Sequence, residues 1–199
     1  MTGAPPSHRI AYDNQMEEYS DMLGSLRQAG GNDIAIIDTA PDIMKKIHIA
    51  CGSNCKIEIK SIKVLKAQLS IDISNGCSLF IEEENMFNGF VRLMMHETSI
   101  LRIGRSCLWA RSSVSTSDCH SILDMETGER LNHAQDIYIG DRVWVCEDSK
   151  ILKGSKISSD TVIAMNSVVT AGKYPPNSVL AGIPARVVKS SIQWDVAIK

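Results

Sequence analysis

His120 stands in the run Ser117-Asp118-Cys119-His120-Ser121. Histidine exchanges its proton near neutral pH, so it can take the proton from a hydroxyl that is about to attack an acyl carbon. By itself, a histidine at the edge of a polar stretch is a solvated surface group; its context gives it chemistry. Asp118 or a backbone carbonyl could orient the ring. Cys119 invites a covalent acyl-enzyme reading, but adjacency in sequence is not the geometry of a nucleophile and its base, and Cys119 is read as structural. Trp144 lies between Val143 and Val145, which both fall on inward positions of the repeat below. Strand alternation then turns the indole outward. An outward tryptophan is costly to leave bare, so it packs on another subunit or on a ligand. His96 and His133 are read as spare polar residues.

The elements that must position these side chains are short. From Asn32 onward, β-branched pieces such as Ile34-Ala35-Ile36-Ile37, Ile57-Glu58-Ile59 and Ile71-Asp72-Ile73 follow one another with Gly, Asn and Asp between them. Many short strands with little room for helices predict an all-β fold. A repeat is clearest between Ile139 and Thr170: Ile139, Val145, Ile151, Ile157, Ile163 and Val169 recur every sixth residue, and Val143, Ser149, Ser155, Thr161 and Ser167 follow four residues after the first five. Each hexad supplies one flat strand and one turn. Three hexads close a triangular coil, with Ile139 stacked near Ile157, Val145 near Ile163 and Ile151 near Val169. Upstream, Ile81, Phe87 and Leu93 keep the step in another phase. Residues 121–136, with the polar turn Glu126-Thr127-Gly128-Glu129, cannot continue the inner column and are read as a loop pushed out of the solenoid. Lys173-Tyr174-Pro175-Pro176-Asn177 is read as an interruption of the column. The end of the chain covers the last coil.

Residues 1–31 differ from the rest. Met16, Tyr19, Met22, Leu23 and Leu26 fall at helical spacing, which predicts a short helix over residues 12–28, stopped at Gly30-Gly31. Residues 32–194 form the solenoid domain and 195–199 a tail. With 21 basic and 23 acidic residues, the net charge of -2 leaves no footprint for nucleic acid. No apolar run reaches the length of a membrane span, and the polar, Pro-rich start does not resemble a signal peptide, so a cytoplasmic protein is expected. The six cysteines are scattered, and Cys51-x-x-x-Cys55 has no second pair to complete a zinc site. Reduced, mostly buried thiols and no metal are expected.

Taken in order, Thr116-Ser117-Asp118-Cys119-His120-Ser121-Ile122, Ile139-Gly140-Asp141-Arg142-Val143-Trp144-Val145, Ile151-Leu152-Lys153-Gly154, Ser167-Val168-Val169-Thr170 and Ala181-Gly182-Ile183-Pro184-Ala185-Arg186-Val187-Val188-Lys189 resemble the hexapeptide-repeat acyltransferases. Within them the chain is most similar to bacterial sugar and capsular-polysaccharide O-acetyltransferases, including the polysialic acid O-acetyltransferases. The resemblance implies a left-handed parallel β-helix, a homotrimer with active sites between subunits, acetyl-CoA as donor and a glycan hydroxyl as acceptor, with direct transfer in a ternary complex. It implies His120 as the catalytic base and Trp144 beside the thioester. It implies Ala164 and Ser167 along the pantetheine arm, and Arg186, Lys189 and Lys153 as candidates for the CoA phosphates. Two departures mark the CoA edge. Ala164-Met165-Asn166-Ser167 stands where the family often has Gly-Ala-Gly-Ser. Ala171 follows Val-Val-Thr where a basic residue is common, with Lys173 two places on. Other readings are an N-acetyltransferase on an amino sugar, a noncatalytic trimeric scaffold, and a γ-type carbonic anhydrase. The last needs two histidines five residues apart, a spacing this chain lacks.

Overall fold

The inward aliphatics stack in register, as the hexad repeat predicts. The computed structural model describes residues 22–199. Its strands form three seven-stranded sheets, parallel but for one terminal strand, the three faces of a β-solenoid. The first face carries β1 (Ser25–Gln28), β3 (Ile47–Cys51), β6 (Leu69–Ile73), β9 (Val91–Met95), β12 (Ser112–Ser115), β15 (Ser149–Leu152) and β18 (Val168–Val169). The second carries β2 (Asp33–Ile36), β4 (Lys56–Ile59), β7 (Ser78–Ile81), β10 (Ile100–Ile103), β13 (Ile137–Ile139), β16 (Ser155–Ile157) and β19 (Gly172–Tyr174). The third carries β5 (Ile62–Leu65), β8 (Asn85–Phe87), β11 (Leu108–Trp109), β14 (Trp144–Val145), β17 (Val162–Ile163), β20 (Ser178–Gly182) and, antiparallel at its end, β21 (Ala185–Ser190). One helical turn, α1 (Pro41–Met44), occupies the third side of the first coil and packs against β5. No described helix is long and apolar enough to cross a membrane.

Ile139 pairs with Ile157, Val145 with Ile163 and Ile151 with Val169, and all six are buried. The corners explain the second periodic position. The third residue after each inward aliphatic has a positive φ, as at Arg142, Asp148, Gly154, Asp160 and Asn166. The fourth then points into the corner and caps carbonyls that the turn exposes. Ser155 Oγ–H donates to Leu152 O at 2.6 Å, with Thr170 O of the next coil at 3.1 Å; Thr161 bonds Ser158 O and Pro175 O in the same way. Cys55, Cys77 and Cys107 fill the equivalent slot in earlier coils, buried with free thiols. Burial pushes the Cys107 thiol up to about 12, which keeps it an inert filler rather than a nucleophile. At Gly154 a side chain would be strained: at φ +77 a Cβ would lie 2.8 Å from the Ala171 methyl group, so a neighbour would have to shift.

Upstream the period lengthens, which is why the hexads fade there. Ile59, Ile81 and Ile103 still stack on one another, but a four-residue insertion at the corner between the first and second faces stretches each coil. Two expectations are corrected. Residues 25–28 are a strand, not the end of a helix: Leu26 pairs with Ile49 in the first face, and ladder pairing on a formed sheet outweighs local helical spacing. Residues 22–24 before it form a turn rather than a helix, and the part of that predicted helix through residue 21 lies outside the described residues. Tyr174 does not interrupt the column. It pairs with Ile157, is buried, and its hydroxyl donates to Thr170 O at 2.9 Å.

Candidate active site

The predicted loop leaves the solenoid after β12 and returns at β13. It is an ordered hairpin: Leu123 and Arg130 form an antiparallel bridge, and Leu131 N–H donates to Ile122 O at 2.8 Å. Its turn closes on Asp124, whose carboxylate accepts from the backbone N–H groups of Glu126 and Thr127. The neck is held by Gln135 N–H donating to Thr116 O (3.0 Å) and Ile100 N–H donating to Asp136 (2.8 Å).

His120 sits at the base of this hairpin and is exposed. Its backbone is fixed from both sides. The N–H donates to Asp118 O at 2.8 Å, and Asn132 Nδ2 donates to His120 O at 2.8 Å. Asn132 is buried and also reaches Ile122 N–H through Oδ1 (2.7 Å) and Asp118 through Nδ2 (2.9 Å). A second tie is ionic. Arg130 grips Glu97 with two parallel N–H donors, at 2.6 and 2.8 Å, and Ser117 Oγ also donates to Glu97. Arg130, and next the Ser117 hydroxyl, hold the Glu97 carboxyl at about 2. Sequence reasoning missed Glu97, Arg130 and Asn132. Glu97 lies 33 residues before Arg130 in the chain, and only the coil beneath the loop brings it to Arg130 and Asn132.

Three residues depart from expectation here. Asp118 does not orient the imidazole; its carboxylate takes Lys153 Nζ at 2.5 Å and Asn132 Nδ2, and these contacts hold it below the usual carboxylate range. Lys153 thereby serves as a strut of the loop, since it also donates to Asn132 O at 3.0 Å. Cys119 is exposed rather than packed, with φ +67, and its N–H donates to Ser117 Oγ (3.0 Å).

The other predicted residues lie elsewhere. Trp144 is half-buried on the outside of β14, between the buried Val143 and Val145, as alternation requires. The His120 loop issues from the corner between the first and second faces, whereas Trp144 lies on the third face, across the triangle. One copy of the chain therefore does not bring them together. Ala164 and Ser167 sit at the corner between the third and first faces. Ala164 N–H donates to Leu180 O (2.8 Å), its carbonyl takes the Ser149 hydroxyl (3.0 Å), and Ser167 Oγ accepts from Gly182 N–H (3.2 Å). Both residues serve coil-to-coil packing. An open groove of about 520 Å³ runs along this corner, lined by Phe90, Arg92, Lys150, Asn166, Val168 and Ile183 among others. Asn166 has φ +56, so it performs the turn that a glycine performs in the family pattern. Lys173 lies on the second face opposite Lys156, so it does not replace the missing cation at that corner. Arg186 and Lys189 are exposed on β21, where a register shift pairs them with Ala181 and Val179. Those two residues share the outer side of β20, so the shift places both cations on one side.

No family model matches the chain. Over 158 residues it is 33% identical to the polysialic acid O-acetyltransferase of Neisseria meningitidis, covering 72% of this chain and 73% of that one. Its fold is similar to the crystal structure of the polysialic acid O-acetyltransferase OatWY, with a TM-score of 0.65 at 24% identity over 87% of this chain and 91% of that one. It is also similar to the polySia-specific acetyltransferase NeuO, with a TM-score of 0.60 at 22% identity over 86% and 80% of the two chains.

Proposed function

The chain belongs to the hexapeptide-repeat O-acetyltransferase family of that meningococcal enzyme, and from this premise we propose that it moves an acetyl group from acetyl-CoA to a hydroxyl of a sugar or polysaccharide. The observation that carries the mechanism is the clamped hairpin. Network contacts fix the backbone of His120 while its ring remains exposed, which suits a base that must meet a substrate. His120 takes the proton from the acceptor hydroxyl as the oxygen attacks the thioester carbon. The tetrahedral oxyanion collapses, and the CoA thiolate leaves with that proton. Transfer is direct, in a ternary complex. Trp144 lies at the acetyl end and offers its indole N–H to the thioester oxygen. Arg186 and Lys189 face the CoA phosphates, and the groove beside Ala164 and Ser167 takes the pantetheine arm.

The separation of His120 from Trp144 across the coil supports a site shared between copies, in a homotrimer. The outer side of the third face supports the same reading. Val64, Met86, Leu108, Trp144, Val162 and Val179 stand in register there as one half-buried apolar column, a surface that self-association would cover. The free thiols suit a reducing compartment, the cytoplasm.

The test incubates the purified protein and His120→Ala with acetyl-CoA and a panel of bacterial oligosaccharides, following thiol release and product mass. Acetylated glycan is expected from the wild type, and a kcat about 10²–10⁴-fold lower from the variant. Equal rates in the two would sink the role of His120.

A further inference from the structure

The site above leaves the segment after β21 unused, yet it brings Trp194 against Trp144. Beyond β21 the chain turns back along the corner between the second and third faces. Ile192 N–H donates to Asn177 O at 2.9 Å, and Asn177 Nδ2 donates back to Ile192 O at 3.2 Å. Trp194 then lands beside β14, its ring centroid 5.9 Å from that of Trp144 and its plane tilted 40°. Trp194 Nε1–H donates to Arg142 O at 2.7 Å. Arg142 Nη2 donates to Trp194 O at 3.1 Å, and its guanidinium stands 5.2 Å from the indole centroid. Arg142 is itself held by Asp160, through Nε at 2.8 Å. Trp194 is only 7% exposed.

Capping the solenoid does not explain this placement. The last strand of the third face, β20, is already covered by β21, whereas β14 lies two coils below it. What the return achieves is to set a second indole against Trp144. A lone outward indole turns about two side-chain torsions, and a hydrogen-bond donor aimed at a substrate oxygen works only from one of the resulting orientations.

We infer that Trp194 is a positioning residue: it fixes the ring of Trp144 and so shapes the acetyl end of the donor site, which makes the C-terminal return part of that site. The inference rests on the reading of Trp144 given above. The test compares full-length wild type, Trp194→Ala and Trp194→Phe. It reads the dissociation constant for acetyl-CoA by calorimetry, KM and kcat, the melting temperature, and the exciton couplet in circular dichroism that two neighbouring indoles produce. The expected result is loss of the couplet in both variants. In Trp194→Ala the dissociation constant and KM for acetyl-CoA rise by about three- to ten-fold, with little change in kcat or melting temperature, and the phenylalanine variant recovers most of the affinity. Unchanged acetyl-CoA affinity and KM in Trp194→Ala overturns the inference. So does a loss of affinity that merely follows a fall in melting temperature in both variants, because the role is then structural. If the wild type shows the couplet but binds no acetyl-CoA, the donor-site reading fails and takes the inference with it, and the persisting couplet distinguishes that case from a tail that never packs.

Discussion

At the residue scale, the feature that governs the candidate base is a carboxylate that does not touch it. Glu97 sits on the coil beneath the hairpin and is gripped by Arg130 and Ser117, with about a quarter of each partner's side chain in the salt bridge left exposed. Its carboxyl lies at about 2 instead of the ordinary 4.5. A lowered carboxylate pKa stabilises the folded state above the ordinary value, and that contribution disappears as pH falls through the lowered one. The hairpin is therefore expected to keep its clamp above about pH 4.5 and to lose it progressively toward about pH 2. Hydrogen exchange at residues 117–136 checks this: protection should fall across that window in the wild type and fall less steeply, from a lower level, in Glu97→Gln, where only Asp118 still titrates in the network. Equal protection in the two proteins at neutral pH would remove Glu97 from the account. Asp118 acts in the same direction through Lys153 and Asn132.

At the element scale, a strand of two or three residues is too short to hold itself, and each coil relies on its corners and neighbours. The corner hydroxyls join one turn to the next coil, as Thr161 does between Ser158 O and Pro175 O. Thr161→Val keeps the shape and removes the donor, and is expected to cost about 1 kcal/mol in stability. Chemical denaturation measures it; a stabilised variant would mean that the slot asks only for a small β-branched residue. The periodic small residue was legible in the sequence, while its purpose was not. Ser, Thr, Cys and Val all satisfy the spacing, and only the carbonyls of the next coil, brought near by stacking, separate a hydrogen-bonding slot from a merely narrow one.

At the scale of the whole molecule, the triangular section decides what one copy can do. His120 and Trp144 occupy opposite sides of the coil, and the outer column through Leu108 and Trp144 offers an apolar surface along the third face. A charge in that column is expected to oppose assembly while leaving the coil intact. Light scattering on the wild type should give a trimer, and Leu108→Glu a monomer with unchanged far-ultraviolet dichroism. A monomeric wild type would refute the shared-site reading.

The sequence alone determined the solenoid: a six-residue recurrence of aliphatics admits few other folds, because a side-chain period that short and that regular must be buried along a line. It also determined the extruded loop, since residues 121–136 cannot enter the column, and the outward face of Trp144, since alternation is local. Only the tertiary structure decided the rest. Whether residues 25–28 coil or extend depended on a neighbouring sheet. The clamp of Glu97, Arg130 and Asn132 and the meeting of Trp194 with Trp144 depended on stacking that brings distant residues within hydrogen-bonding reach. A periodic pattern specifies which way each residue points within its own coil; which side chains meet across coils follows from how many residues each corner inserts, and that register exists only once the coils are wound.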